Sequence, residues 1–266
     1  MQLLPMRDPR TMSWFGAGDW ILLIYILGLY VGIVKVILPK YMAKRKEFDL
    51  LGYIRCYNLL LVAINAVFAY KIARRSYFGG GYSWFCQGLD LGGKDTTLLQ
   101  LNYLYMFVRI FEFSDTVFFV LRKKFNQATF LNISHHCIAV GLPWYGVAYG
   151  IDGQICLMVL FNMVVHVIMY SYYFLASFQS MVPYLGWKKH LTKLQILQFA
   201  VVLVHMSIPI YHDCGYPPQN SILVISMYAY FLVMFTKFYG STYSDAKKSL
   251  PETNGSIARA NTHKIK

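Results

Sequence analysis

The segment LNISHHCIAV at residues 131–140 sets two adjacent histidines, His135 and His136, into an apolar run one turn after Asn132. Polar groups in apolar surroundings cost free energy unless they find partners, so these side chains call for a use. Three other segments repeat the theme at the helical spacing of three or four residues. RIFEFSDT aligns Arg109, Glu112, Asp115 and Thr116. NMVVHVIMYSYY aligns Asn162, His166, Tyr170 and Tyr173, and TKLQILQFAVVLVH aligns Thr192, Gln195, Gln198 and His205. Two chemistries suit histidine in such a setting. It can ligate a transition metal, or a neutral imidazole can attack a thioester, carry an acyl group and move a proton. A di-iron site of the desaturase kind needs many histidines. Of the seven here, His190, His212 and His263 fall in loops or the tail, which leaves four. Acyl or proton transfer is therefore the preferred chemistry, with no metal and no other cofactor expected.

The elements that carry these residues have to be membrane helices. Of 266 residues, 57% are hydrophobic and only 14% charged, with 22 Tyr and 19 Phe, too apolar for an ordinary soluble domain. The net charge of +13 is spread in short clusters between apolar stretches rather than along one stripe, which argues against a nucleic-acid partner and for the lipid bilayer. Seven stretches approach the roughly 20 apolar residues that a span needs: 20–38, 52–71, 99–121, 128–148, 154–176, 193–211 and 221–240. No cleavable signal is expected, so the first span serves as its own targeting signal. The predicted fold is an all-α polytopic membrane protein, seven transmembrane helices bundled around a polar chamber, to which the resemblance given below adds a catalytic role and an apolar acyl tunnel. Residues 1–19 form a luminal segment, 20–240 the catalytic bundle and 241–266 a basic cytosolic tail.

Charge orients this bundle. The loops on one side hold 14 Lys and Arg and those on the other hold 5, so the richer side is assigned to the cytosol and the N-terminus to the lumen. Cys86 and Cys214 then share the luminal side, where disulfides persist, and a bridge between them is favoured over two free thiols. Ionisable groups inside spans usually face the bundle interior and mark function. One polar stripe alone would read as interhelical glue. Four stripes with three intramembrane histidines and two carboxylates favour a shared chamber. A seven-span receptor or transporter is the alternative from another class.

RIFEFSDT, NQATFLNISHH, NMVVHVIMYSYY and TKLQILQF, in this order, together with DTVFFVLRKK and GWKKHLTKLQ, resemble the motifs of the very-long-chain fatty acid elongases over most of the chain. The resemblance implies an endoplasmic-reticulum enzyme. It condenses a long-chain acyl-CoA with malonyl-CoA to a 3-ketoacyl-CoA, carbon dioxide and CoA, alone, as a homodimer or beside other enzymes of the cycle. It also implies that His135 and His166 carry the acyl group. Two residues depart from the pattern. Arg109 replaces a lysine, and Asn132 replaces the first histidine of a His-x-x-His-His box. Asn cannot titrate, so a catalytically impaired homologue that binds acyl-CoA or active elongases is the second reading. The roles expected are His135, His136 and His166 as catalytic groups, with Asn132 orienting His136. Arg109, Glu112, Asp115, Asn162, Tyr170, Tyr173, Gln195, Gln198 and His205 line the chamber, and of these Glu112, Asp115, Asn162, Gln195 and Gln198 orient the imidazoles. Arg122, Lys123, Lys124, Lys188 and Lys189 meet the CoA phosphates, unless these clusters serve only to orient the chain in the membrane.

Overall fold

A computed structural model describes residues 4–93 and 95–244; most of the predicted tail, 245–266, lies outside them. All seven predicted stretches are helical, and no strand occurs among the described residues. α1 (Trp20–Gly32) continues through a π-helical turn, Ile33–Ile37, into α2 (Leu38–Met42). The others are α3 (Leu51–Arg75), α4 (Thr97–Phe111), α5 (Ser114–Leu121), α6 (Phe130–Tyr149), α7 (Ile155–Ala176), α8 (Lys188–Tyr211) and α9 (Pro218–Tyr239). Asp19 starts α1 by accepting from the Leu22 amide at 2.9 Å, and Thr129 starts α6 by accepting from the Asn132 amide at 3.2 Å. Each satisfies an amide that the first helical turn leaves without an internal partner.

Among the described residues, five helical segments are long and apolar enough to cross a membrane: Trp20–Met42, Leu51–Arg75, Ile155–Ala176, Lys188–Tyr211 and Pro218–Tyr243. The chain is a multi-pass membrane protein. The two predicted spans outside this set are those richest in chemistry. α6 is diluted by Asn132, Ser134, His135 and His136. Residues 99–121 hold three charges and divide into α4 and α5 at Glu112–Phe113, where the backbone tightens: the Asp115 amide donates to Glu112 O at 3.1 Å and the Thr116 amide to Phe113 O at 3.2 Å. Such short-pitch turns within long helices often mark functional positions.

α8 packs along α9, α3 along α7, and α4 against α6. One end of this bundle is clamped. Cys86 in the loop before α4 is bonded to Cys214 in the loop before α9, with Cα atoms 6.0 Å apart and a separation of 128 positions in sequence. The loop runs so close to that bond that a Cβ at Gly88 would lie 2.1 Å from Cys214 O. Beside it, Arg10 is buried between two carboxylates. Its guanidinium meets Asp152 twice, at 2.8 and 2.9 Å, and Asp8 at 2.6 and 2.9 Å. Burial alone would lower the guanidinium pKa, but Asp8 and Asp152 outweigh it and raise the value, so the group stays charged. The Asp8 amide donates to Ala148 O at 2.9 Å, fastening the N-terminal segment to the end of α6.

Closing a loop of this length should stabilise the fold by about 4–5 kcal/mol in the chain-entropy model. We expect Cys86→Ser and Cys214→Ser each to lower the thermal unfolding midpoint clearly, and the double variant to lower it no further. Alkylation of both thiols in native, unreduced protein would show that the bridge is absent.

Candidate functional site

α3, α4 and α7 meet around one guanidinium. Arg109, on the last turn of α4, is 4% exposed, and the residues it touches are buried or nearly so. Its Nη1 donates to Glu112 Oε2 at 2.6 Å and Oε1 at 2.9 Å, and lies 2.9 Å from His166 Nδ1. Its Nη2 donates to Asn162 Oδ1 at 2.5 Å and to the Tyr105 hydroxyl. Glu112 can reach back because it stands three residues on, over the same helical face. One turn further along α7, the Tyr170 hydroxyl donates to Asp115 Oδ2 at 2.8 Å. Arg109, Glu112, Asp115, Asn162, His166 and Tyr170 thus form a continuous polar seam, as their spacing predicts.

The histidine pair sits across α5. His136 is buried, its ring 6.2 Å from both Tyr30 and Phe113, and Phe113 directly follows Glu112. The Nδ1 of His136 has no hydrogen-bond partner among the described residues. His135 is half-buried, 5.6 Å from His136 and 5.2 Å from Phe231, with Phe235 beyond. Apolar surface from α8 and α9 continues away from it through Phe199 and Tyr228. Such a setting leaves an imidazole edge free of competing protein hydrogen bonds, a condition for it to act as nucleophile or base.

Several expectations need correction. Asn132 does not orient His136: its Oδ1 accepts from Thr116 Oγ1 at 2.8 Å, and Thr116 in turn pairs with the Tyr30 hydroxyl at 2.8 Å. A side chain on α6 three or four positions away shares a face with His136, but Thr116 on α5 stands closer to the amide. His205 is not in the chamber. It lies at the clamped end, where the Gln154 amide nitrogen approaches its Nε2 at 3.1 Å and Trp84 O lies 3.3 Å from the same nitrogen. Its stripe is shared with Gln195, but ten residues of helix carry it about 15 Å along the axis. Of the residues expected to orient imidazoles, only Glu112 reaches one, 3.4 Å from His166 Nδ1. Gln195 donates to Met169 Sδ, and the buried Gln198 Nε2 has no partner among the described residues. Both glutamines border α7, where an apolar groove of about 280 Å³ between α7 and α8 has Gln198 in its wall. Tyr173 is at the rim, 38% exposed, its ring edge-on to Tyr170.

Arg122, Lys123 and Lys124 follow α5, and Lys188 and Lys189 open α8, all at the end of the bundle opposite the disulfide. Lys123 takes a left-handed backbone (φ 54°), which turns the chain sharply after α5. Among the described residues no three His, Cys, Asp or Glu side chains converge as a metal-holding group. Tyr105, Asn65, Tyr30 and the pairing of Thr116 with Asn132 are site features that helical spacing does not single out. The signal for Asn65 was present: a lone amide amid LLLVAINAVFAY in α3.

The family described as ELO: GNS1/SUR4 matches residues 15–250. The chain is 37% identical to very long chain fatty acid elongase 7 of Rattus norvegicus over 92% of its own length and 89% of the relative's. It is 34% identical to elongase 1 of Homo sapiens, covering 93% and 90%, and 33% identical to elongase 5 of Tachysurus fulvidraco, covering 97% and 88%.

Breaking a buried ion pair by removing one charge typically costs about 3–5 kcal/mol. Glu112→Gln leaves the Arg109 charge buried without its counter-ion. We expect the purified variant to lose stability in that range, read as the unfolding midpoint in detergent, while Glu47→Gln, at an exposed position, leaves it unchanged.

Proposed function

This chain belongs to the ELO: GNS1/SUR4 family, a membrane 3-ketoacyl-CoA synthase of fatty acid elongation acting on acyl-CoA and malonyl-CoA, and from that membership we propose how its buried residues carry the condensation. The observation that carries the proposal is the polar seam around Arg109 lying beside a histidine pair inside an otherwise apolar bundle. His135 attacks the acyl-CoA thioester. The carbon–sulfur bond breaks, CoA leaves with the imidazole proton, and an acyl-imidazole remains. Malonyl-CoA then loses carbon dioxide, and the electron pair released forms an enolate carbanion. That carbon attacks the acyl group, the bond to His135 breaks, the released ring nitrogen takes up one proton from solvent, and the 3-ketoacyl-CoA departs. His166 and His136 stabilise the enolate and handle protons. The acyl tail runs in an apolar tunnel among Phe199, Tyr228 and Phe231, the aromatic surface next to His135.

The CoA phosphates meet Arg122, Lys123, Lys124, Lys188 and Lys189. The two lysines sit in the first turn of α8, where unpaired amides also favour an anion. The remaining readings are that the bundle has seven spans and lies in the endoplasmic-reticulum membrane, with the N-terminus luminal and the tail cytosolic. Homodimers or contacts with other elongation enzymes are supported only by the resemblance described above.

Incubation with acyl-CoA alone should release CoA and leave a hydroxylamine-labile acyl group on the protein, and His135→Ala should abolish both. CoA appearing only after malonyl-CoA is added would refute the two-step order. Asn132 tests the second reading, an impaired homologue. Because its amide is held by Thr116, a ring in its place can keep that bond through one nitrogen. We expect Asn132→His to retain or raise carbon dioxide release from malonyl-CoA, measured over a panel of acyl-CoA lengths. No turnover by the natural chain, together with turnover in Asn132→His, would establish the impaired reading.

A further inference from the structure

We infer that the end of α2 and the loop after it bind the phosphate-bearing headgroups of anionic phospholipids through Lys40, Lys44, Arg45 and Lys46. The inference needs the membrane placement of the bundle, but neither the condensation chemistry nor the side of the membrane on which this end lies.

The loop cannot leave the bilayer surface. One span ends at Met42 and the next begins at Leu51, so residues 43–50 stay close to headgroup depth. Four cations fall within residues 40–46, and the carboxylates beside them are Glu47 and Asp49. Asp49 Oδ1 accepts from the Leu51 amide at 3.2 Å, at the start of α3. All four basic side chains are exposed, and among the described residues none of them forms an ion pair with a carboxylate. Like charges crowded in this way repel unless an anion comes between them.

The backbone that carries them is anchored. Met42 is fully buried where α2 packs against α5. The Phe48 amide donates to Leu121 O at 3.1 Å, which fastens the loop across the end of α5. A second tie comes from the π-helical turn, where Lys35 Nζ donates to Ala128 O at 3.2 Å. Between these ties Arg45 folds back over Tyr41, its guanidinium carbon 4.2 Å from the ring centre. A surface held like this loses little freedom on binding a partner.

Two features select lipid as that partner. The span Trp20–Met42 is the least buried of the five, so its end lies at the rim of the bundle, with lipid beside it. Exposed rings are interspersed with the charges: Tyr41 and Phe48 in this segment, Phe125 and Phe130 in the loop to which it is tied. Aromatic rings together with Lys and Arg at the end of a span are the pattern of the bilayer interface. A phospholipid offers acyl chain to the rings and a phosphate to the cations, and basic clusters directly beyond a span attract anionic headgroups. Arg122, Lys123 and Lys124 follow on from Leu121, so the lipid phosphate would neighbour the residues proposed for CoA, and the test has to separate the two.

Full-length protein in neutral detergent is titrated with phosphatidylserine and with phosphatidylcholine of the same acyl chains, and bound lipid is counted by native mass spectrometry. We expect phosphatidylserine to bind more tightly and its advantage to shrink as salt rises. Lys44→Gln, Arg45→Gln and Lys46→Gln should each weaken phosphatidylserine about fivefold, the equivalent of about 1 kcal/mol for a cation at an anionic surface. Phosphatidylcholine binding should not change. Lys71→Gln, an exposed cation toward the far end of α3, should alter neither. An unmoved unfolding midpoint without added lipid shows that each variant is folded. Phosphatidylserine with a photoreactive headgroup should label residues 40–48. Equal phosphatidylserine binding by the natural chain and the triple variant would mean that these charges only orient the chain in the membrane, and overturns the inference. So does free CoA that displaces phosphatidylserine from the natural chain and no longer binds the triple variant, which assigns the loop to CoA. No turnover is measured, so a chain inactive in condensation would sink the proposed mechanism and leave this result standing.

Discussion

A cation that cannot give up its proton, placed among membrane helices, constrains everything near it. Arg109 offers donors only, and an unpaired charge at such depth costs several kcal/mol. The fold meets that cost with acceptors from separate elements: Glu112 from the turn after α4, Asn162 from α7, where the His166 ring also lies against the guanidinium, and Tyr105 from α4 itself, backed by Asn65 of α3. Sliding α7 by one residue would turn Asn162 and His166 to another face and strand the charge. The guanidinium therefore fixes helix register at this level in a way that interchangeable apolar contacts along α3 and α7 do not.

The chain between α4 and α5 joins two parts of the site. The Glu112 amide still makes the regular helical bond to Val108 O at 3.0 Å, and its carboxylate meets Arg109 at the ordinary spacing of three residues. The short-pitch bonds begin after it and deliver the following ring, Phe113, to the side of His136. One backbone irregularity thus links the seam to the histidine pair. Thr116, one turn later, extends the link to Asn132 and Tyr30.

Periodicity made much of this legible beforehand. The positions of all seven helical stretches follow from apolar runs, and the members of the seam follow from three- and four-residue spacing on α4 and α7. Spacing reports the face of a helix but not the depth, and that is why His205 was grouped with Gln195 although it belongs to the Gln154–Trp84 contact at the clamped end. It also says nothing of which neighbouring helix stands closest, so Asn132 was assigned to His136 on its own helix rather than to Thr116. The salt-bridged Arg10 went unread because its partners lie 2 and 142 positions away. Only a fold brings Asp152 to it.

The clamp has a consequence for how the molecule relates to its bilayer. With the disulfide and the Arg10 cluster joining the loops at one end, the helices are tied together there, and their opposite ends are the less constrained arms of a pair of tweezers. Under the proposed condensation two bulky thioesters enter and a 3-ketoacyl-CoA, CoA and carbon dioxide leave in each cycle, and the proposed role of the basic clusters puts that traffic at those arms. Work would then be done against the lateral pressure of a single leaflet, the one bordering the basic clusters. Lipids that change packing in that leaflet alone would alter turnover, whereas the same lipids in the other leaflet would press on the joined end.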